Sequence, residues 1–208
     1  MPETGKRSKN ERYNMNGKDK EYNDTTGIRP LEIPLDDEVQ DLMDRIFPKG
    51  IPSPSLYRIV AKNQPLFKDL IESRFIGPTG IFDKKRLDPR IRELLILRTC
   101  KANNNRYEYA LHRTTISQKM GLLPEQITDI WDDFPDPGLW TERDLSLFEL
   151  VDKLSARKDT PVSLHGRLRE HFSESELIEI VLLIGFYTSV SMLVAFARPE
   201  FDNYDITR

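Results

Sequence analysis

The chain has 208 residues, of which 38% are hydrophobic and 31% are charged, with a formal net charge of −3 and one cysteine. A single cysteine excludes an intrachain disulfide and any Cys-x-x-Cys redox or metal motif. It also excludes a disulfide-stabilised secreted fold, so we expect a cytoplasmic protein. The near-neutral charge gives no basis for nucleic-acid binding. The length suits one domain, or two small ones, with a substantial core.

The first 29 residues differ in composition from the rest of the chain. Only five of them are apolar, and seven lysines and arginines are interspersed with five acidic residues. Such a segment buries too little apolar surface to offset the entropy lost on ordering it. We therefore predict a disordered polar tail over residues 1–29 and a single all-α domain over residues 30–208. The alternative, a basic arm for an anionic partner, is weakened by the interspersed acids.

Apolar residues then recur at steps of three and four, which predicts a succession of helices. One helix follows a cap at Asp36 or Asp37, and Asp88-Pro89 is a typical start for another. Ser173 and Glu176 form a capping box ahead of a long apolar helix. No alternating strand pattern is found, so the fold class is an all-α helical bundle. The helix that begins at Asp88-Pro89 extends to residue 102. The other predicted helices cover residues 56–61, 65–75, 106–120 with Gly121 as C-cap, 124–131, from 141 onward, and 161–172.

Residues 180–197 carry no charge and are almost long enough to cross a bilayer as a helix. Gly185, Thr188 and Ser189 dilute this segment, and no strong basic flank adjoins it. A helix that is apolar on every side can also lie at the centre of a bundle or of an oligomer. We favour this buried helix over a membrane anchor.

A group of ionisable residues in the middle of the chain could carry chemistry. Glu108 and His112 are four residues apart on one predicted helix, so their side chains share a face. The preceding helix contains Glu93, and a three-asparagine break predicts that the two helices pack as a hairpin. One imidazole beside two carboxylates is typical of a proton-transfer site, because the carboxylates fix its tautomer and raise its basicity. The alternative is an ordinary surface Glu–His pair that only stabilises the helix.

A metal site has less support in the sequence. Glu108 and His112 supply two ligands, but no His-Glu-x-x-His motif is present. His165 and His171 are six residues apart and do not share a helix face. We predict neither a metal nor a cofactor.

Residues 88–123 resemble the core of the carboxymuconolactone decarboxylase and alkyl hydroperoxidase D-like family. In the peroxidase branch of that family, a glutamate is followed by a Cys-x-x-Cys-x-x-x-His motif. Glu93 matches the glutamate and His112 matches the histidine, while Asn105 and Glu108 occupy the two cysteine positions. The Tyr-Glu-Tyr string around Glu108 is similar to the Tyr-Glu-Trp form of family members that lack the cysteines.

The resemblance implies a fold of the alkyl hydroperoxidase D-like type that assembles into trimers or hexamers. A weaker likeness covers residues 174–198, where the string Ile-Gly-Phe-Tyr is similar to a later apolar helix of the family. Assembly would supply partners for a helix that is apolar on every side. With the resemblance added, we expect a homo-oligomer that has no membrane or nucleic-acid partner.

Without the cysteine pair, the resemblance implies a cofactor-free acid/base enzyme. We predict decarboxylation or proton transfer on a small lactone or keto acid. His112 would be the proton donor or relay, and Glu93 and Glu108 would set its protonation. The candidate substrate-binding residues are Arg98, Arg113 and Asn105.

Two other functions stay open at this point. One is a peroxidase-type antioxidant enzyme, which in this family uses one thiolate to attack the peroxide and a second to resolve it. Cys100 lies five residues before the first family cysteine position, and we predict that it is a buried small hydrophobe. The other is a non-catalytic oligomeric member of the family.

Overall fold

The computed structural model describes residues 27–48, 52–77 and 80–202. These residues form nine α-helices, two short 3-10 helices and no strand, which confirms the predicted all-α class. The predicted disordered tail falls almost entirely on residues 1–26, which lie outside the described residues, as do residues 203–208 at the end of the predicted domain.

The helices are α1 (Asp37–Asp44), α2 (Ser55–Val60), α3 (Gln64–Glu72), α4 (Pro89–Ala102), α5 (Arg106–Thr115), α6 (Pro124–Asp129), α7 (Glu142–Ser155), α8 (Val162–Arg169) and α9 (Glu174–Ala197). The 3-10 helices are Ile81–Asp83 and Pro137–Leu139. Most helices begin where the sequence predicts, because their caps are local. Asp36 and Asp88 accept hydrogen bonds from backbone N–H groups in the first turns of α1 and α4. Thr141 and Ser173 form capping boxes at the starts of α7 and α9.

The end of α5 differs from the prediction, because the helix stops at Thr115 rather than at residue 120. The N–H of Ser117 donates to the carbonyl of His112, five residues back, at 2.9 Å, so the last turn is wider than an α-helical turn. The hydroxyl of Ser117 is thereby placed to donate to Glu93 at 2.7 Å. The predicted C-cap Gly121 follows with a φ of +96°, in the left-handed region that favours glycine.

The described residues form two hydrophobic cores and a small third cluster of Leu56, Tyr107 and Val194. The larger core is built around α4, which packs against α5, α7 and α9. Leu94, Ile96 and Leu97 are fully buried although they point in different directions around α4. A helix that is buried on every side loses the one-sided apolar pattern of a surface helix. The α4–α5 hairpin that the three-asparagine break predicts is therefore packed against α7 and α9 through α4.

The smaller core joins α1, α2 and α3. Its buried residues are Val39, Leu42, Met43, Ile46, Ala61, Phe67 and Ile71. A hydrogen bond from the N–H of Ile28 to the carbonyl of Ala197 ties the segment before α1 to the end of α9. The N-terminal helices thus form a layer beside the α4–α9 bundle, and the two layers can enclose a space between them.

The 24-residue helix α9 is long and apolar enough to cross a membrane, and 39% of its most apolar 18-residue window is buried within the chain. Ile180, Leu183 and Ile184 pack into the larger core. The opposite side is apolar but exposed, and it carries Ile178, Val181, Leu182, Met192 and Phe196. Within one chain, α9 is therefore buried on one side only, whereas the sequence predicts a helix that is buried on every side.

Candidate functional site

The α4–α5 hairpin brings Glu93 and His112 into direct contact. His112 Nδ1 lies 2.9 Å from Glu93 Oε1 and 3.1 Å from Glu93 Oε2. Because a carboxylate accepts hydrogen bonds, this contact places a proton on Nδ1 and leaves Nε2 facing the other side. The Ser117 hydroxyl donates to the same carboxylate. The contact between Glu93 and His112 is the one that the predicted hairpin requires.

Glu108 lies on the other side of the imidazole. Its Oε2 is 3.7 Å from His112 Nε2, which is close enough for strong attraction but too long for a good hydrogen bond. All three side chains are buried, and the ring of Tyr187 packs edge-on against His112 with centroids 5.8 Å apart. The alternative of an ordinary surface Glu108–His112 pair is therefore wrong, because the two side chains form an interior cluster with Glu93.

The charges of Glu93 and His112 stabilise each other. Burial on its own would raise the pKa of Glu93, but the adjacent His112 charge and the hydrogen bonds from His112 and Ser117 lower it overall. Burial on its own would lower the pKa of His112, but Glu93 outweighs it and Glu108 adds to the same effect, so that pKa is raised. The cluster therefore favours a Glu93 carboxylate paired with a His112 imidazolium.

Glu108 has the opposite tendency to Glu93. Burial raises the pKa of its carboxyl group, the attraction of His112 opposes that rise, and the negative charges of Asp202 and Glu93 add to it. A carboxyl group whose charged form is disfavoured can take up a proton closer to neutral pH than an exposed one. Of the two carboxylates beside His112, Glu108 is thus the one suited to exchanging a proton.

Glu108 also lines a cavity of about 280 Å³ between the N-terminal layer and the α4–α9 bundle. Residues from α2, α3 and the turn after α3 form one wall, and α5 and α9 form the other. The lining is mainly apolar, and its side chains with polar groups are Glu108, Tyr57, Tyr187 and Ser189. In the described part of the chain, no arginine or lysine lines it. An apolar cavity with a few polar groups is the usual form of a small-molecule site.

The segment after α9 helps to position α2 at this cavity, together with the packing of Leu56 against Tyr107 and Val194. The carboxylate of Asp202 accepts hydrogen bonds from the N–H of Ser55 at 3.0 Å, from the Ser55 hydroxyl at 2.7 Å and from the Tyr107 hydroxyl. The Tyr107 oxygen in turn accepts from the N–H of Leu56 at 3.1 Å. These contacts hold the start of α2 against α5 beside Glu108.

Asn105, one of the predicted substrate-binding residues, is buried at the start of α5. Its Oδ1 accepts a hydrogen bond from the N–H of Glu108 at 3.1 Å, and its Nδ2 donates to the Ser191 hydroxyl at 3.0 Å. Asn105 does not line the cavity. It caps α5 and so fixes the backbone that carries Glu108.

The two predicted arginines are not brought to the cluster. Arg98 is buried and makes a two-pronged ion pair with Asp152, and it also donates to the carbonyls of Ile130 and Asp132 at 3.1 and 2.9 Å. Arg113 is exposed on α5, and neither arginine lines the cavity. All of these Arg98 contacts are structural, so Arg98 is not part of the candidate site.

Cys100 is fully buried on α4, as predicted for a small hydrophobe. Burial raises the pKa of its thiol well above the usual value, and the negative charges of Glu108 and Glu93 raise it further. Thiol chemistry needs the thiolate, which this environment disfavours. Among the described residues, no group of three or more His, Cys, Asp and Glu side chains is arranged to hold a metal ion.

The sequence interpretation missed three residues of the site. Ser117 binds Glu93, and Tyr57 and Tyr187 line the cavity. No local pattern marks Ser117 or Tyr57. Tyr187 lies in the Ile-Gly-Phe-Tyr string that resembles the family's later apolar helix, and this is the one signal that could have pointed to it.

Comparison with known proteins adds information about the fold. No protein-family model matches the chain, and no curated protein does either. Among solved structures, the apo crystal structure of the debrominase Bmp8 is similar, with a TM-score of 0.68 and 13% sequence identity over 86% of this chain and 93% of that one. The chain thus shares an all-helical fold with an enzyme. Fold and site together define an all-α protein with a buried Glu–His–Glu cluster beside an apolar cavity.

Proposed function

We propose that this protein is a carboxymuconolactone decarboxylase-like enzyme that transfers a proton on a small lactone or keto compound without a cofactor. The observation that carries the proposal is the position of Glu108. Its carboxyl group lines an otherwise mainly apolar cavity, with the imidazole of His112 3.7 Å behind it. The sequence resemblance of residues 88–123 to that family, and the all-helical fold, support the same interpretation.

The geometry supports a separate role for each residue of the cluster. Glu108 is the group that meets the substrate, because it lines the cavity whereas Glu93 and His112 do not. When Glu108 takes a proton from a carbon atom of the substrate, it becomes neutral, and it regenerates by returning that proton to the substrate or to water. His112 faces the other side of the carboxyl group, where its charge stabilises the anionic form. Glu93 and Ser117 hold the imidazole in place.

The lining of the cavity bears on the choice between the predicted reactions. A keto acid would bring its own carboxylate next to Glu108, and binding it would call for an arginine or lysine. Neither residue type lines the cavity in the described part of the chain. Arg98 is bound to Asp152 elsewhere, and Arg92, whose charge reaches the cavity tyrosines, is held by Asp83 and the Phe82 carbonyl. We therefore favour proton transfer on an uncharged lactone or ketone over decarboxylation of a keto acid. The peroxidase alternative lacks comparable support, because Cys100 is fully buried and does not line the cavity.

We also propose that the enzyme is a homo-oligomer. The outer side of α9 exposes Leu182 and Met192 by 59% and 56% and Phe196 by 74%. A largely apolar exposed face of this kind marks an interaction surface. A second copy of the chain, packed on α9, would complete the burial that the sequence pattern predicts.

The experiment that tests the proposed reaction is hydrogen–deuterium exchange. A panel of uncharged lactones and ketones is incubated with the protein in D2O, and loss of the α-hydrogen signals is followed by NMR. We expect catalysed exchange with the unmodified protein, none with Glu108→Gln, and a strong reduction with His112→Gln, while both variants keep their helical circular dichroism.

The matched control is His165→Gln, because His165 is bonded to the Thr160 hydroxyl at the surface. This variant should exchange the α-hydrogens at the unmodified rate. Exchange that continues unchanged in Glu108→Gln, or no catalysed exchange on any compound of the panel, would contradict the proposed function.

A further inference from the structure

Two tyrosines share the cavity with Glu108. Tyr57 projects from α2 and Tyr187 from α9, so they come from opposite walls. Within the described residues, neither phenol hydroxyl is hydrogen-bonded, and the carboxyl group of Glu108 accepts no hydrogen bond. Other tyrosines of the chain differ in this respect, because the hydroxyl of Tyr109, for example, donates to the Ile127 carbonyl at 2.6 Å.

The fourth polar group of the cavity, the hydroxyl of Ser189, already has a hydrogen-bond partner. The hydroxyl of Ser189 donates to the carbonyl of Phe186 within α9 at 2.6 Å. The cavity therefore offers a ligand two hydroxyl donors and one carboxyl group, set among apolar side chains. Hydroxyl groups that face a mainly apolar cavity without an acceptor favour a ligand that supplies one.

Both phenols stay protonated at neutral pH. Burial raises the pKa of Tyr57, and the negative charge of Glu108 raises it further. Burial raises the pKa of Tyr187 as well, and among the smaller influences on it are Glu108 and Tyr57. The two hydroxyls and the carboxyl group thus interact electrostatically with one another across the cavity, and the tyrosines act there as neutral O–H donors.

We propose that the hydroxyls of Tyr57 and Tyr187 bind the carbonyl oxygen of an uncharged ketone or lactone whose α-carbon faces Glu108. The inference rests on the proposed proton transfer and names its substrate class and its oxyanion-binding residues. A carbonyl compound fits because it offers one acceptor for the two donors and an α-hydrogen for the carboxylate. The rest of such a molecule is apolar, as the cavity wall requires.

The reaction balances without any further reactant. Glu108 removes the α-proton as the C–H bond breaks, and the electron pair of that bond forms a carbon–carbon double bond. The carbonyl π electrons move to oxygen, where the two tyrosine hydroxyls donate to the resulting enolate. Glu108 then delivers a proton back to carbon, and in D2O its carboxyl hydrogen can first exchange with the solvent, so that deuterium is delivered instead. Donors placed where the negative charge develops stabilise the transition state more than the ground state.

The first test is binding, with acetophenone that carries ¹³C at its carbonyl carbon as the probe. Ethylbenzene has a similar shape but no oxygen, so we expect acetophenone to bind more tightly. The ¹³C resonance of bound acetophenone should move downfield, as expected for a hydrogen-bonded carbonyl, and Tyr57→Phe and Tyr187→Phe should each reverse part of that movement. Tyr109→Phe is the control, because its hydroxyl is bound to Ile127 and the residue does not line the cavity.

The second test is exchange of the acetophenone methyl hydrogens in D2O. Each Tyr→Phe change should slow catalysed exchange by about 10²-fold, the effect of removing one oxyanion donor. Tyr109→Phe should leave the rate unchanged, and Glu108→Gln should abolish exchange while the downfield resonance of the bound carbonyl persists.

These readouts separate the two proposals. If neither Tyr57→Phe nor Tyr187→Phe changes the carbonyl resonance, or if ethylbenzene binds as tightly as acetophenone, the assignment of the tyrosines is overturned even when exchange depends on Glu108. Failure of the unmodified protein to bind either compound would overturn it as well. A resonance that depends on the tyrosines, together with exchange that is unaffected in Glu108→Gln, would instead overturn the proposed role of Glu108.

Discussion

His112 Nδ1 lies 2.9 Å from Glu93 Oε1, and both side chains are buried between α4 and α5. This contact fixes which imidazole nitrogen faces Glu108, because the nitrogen that points to Glu93 is already used. The ion pair thus connects the packing of the hairpin with the chemistry of the cavity. The contribution of this ion pair can be measured through the pKa of His112 and through the free energy of unfolding.

The change Glu93→Gln keeps the shape of the side chain and removes its charge. Burial on its own lowers the pKa of His112, and Glu93 is the main influence that raises it. We therefore expect the pKa of His112 to fall in this variant, as followed by NMR titration of the imidazole signals. Near pH 6, where the pair is charged, the free energy of unfolding should fall by about 3 kcal/mol.

Ser117→Ala is the matched control for this change. It removes the hydrogen bond to Glu93 and leaves the carboxylate charge in place. The pKa of His112 should therefore fall less than in Glu93→Gln. Equal pKa values for His112 in Glu93→Gln and the unmodified protein would show that the ion pair does not set its protonation.

Glu108→Gln should stabilise the protein at neutral and alkaline pH. The pKa of Glu108 is raised in the folded state above its ordinary value of 4.5, so its contribution to stability is largest at low pH. That contribution is lost as the pH rises from 4.5 through the raised pKa. Glutamine lacks this loss, so the variant should match the unmodified protein at pH 4 and exceed its unfolding free energy at pH 8.

Urea unfolding at several pH values measures this difference. Glu149→Gln is a suitable control, because Glu149 is paired with Arg167 near the surface and should show no such gain. If Glu108→Gln were less stable than the unmodified protein at pH 8, the environment of Glu108 would favour its charged form, contrary to the structure.

Arg98→Ala separates a structural role from substrate binding. Arg98 is buried, pairs with Asp152 and donates to two backbone carbonyls, so its removal leaves several acceptors unsatisfied. We expect the free energy of unfolding to fall by about 3 kcal/mol, measured by urea denaturation. Arg113→Ala, an exposed control on α5, should change it by less than about 0.5 kcal/mol. A loss of activity in fully folded Arg98→Ala protein would restore the predicted substrate-binding role.

The sequence could predict the parts of the structure that depend on neighbouring residues. The caps at Asp88 and Ser173 are local hydrogen bonds, and so the starts of α4 and α9 follow from a few residues each. The contact between Glu93 and His112 followed from two helices joined by a short break, which leaves few ways to pack.

The rest of the site depends on contacts between distant parts of the chain. Tyr57 and Glu108 come together because α2 packs through Leu56 against α5 and α9, and because Asp202, beyond the end of α9, holds the start of α2. The sequence predicts that Arg98 binds substrate, but on α4 this side chain faces Asp152 of α7 instead. No periodicity or spacing encodes which side of a fully buried helix meets which neighbour.

Asp202→Ala should loosen α2 without disturbing the larger core. The carboxylate of Asp202 accepts from the backbone and the hydroxyl of Ser55 and from the Tyr107 hydroxyl. Its removal leaves these donors unsatisfied and should lower the free energy of unfolding by about 2 kcal/mol. Amide hydrogen exchange should accelerate in α2 and stay slow in α4.

Asp159→Ala provides the control, because Asp159 is exposed in the loop between α7 and α8. It should change neither stability nor exchange. Equal amide exchange in α2 for Asp202→Ala and the unmodified protein would mean that the packing of the two layers alone holds this helix.

The exposed side of α9 predicts self-association. Size-exclusion chromatography with light scattering should give a mass that is a multiple of the 24.3 kDa chain, since an apolar face of this length is seldom left in water. Leu182→Glu places a charge in that face and should shift the protein towards the monomer. Val162→Glu, on the still more exposed Val162 of α8, lies outside that face and should leave the mass unchanged. A monomeric unmodified protein that binds to lipid vesicles would contradict the oligomer and favour the membrane role that the length and composition of α9 also permit.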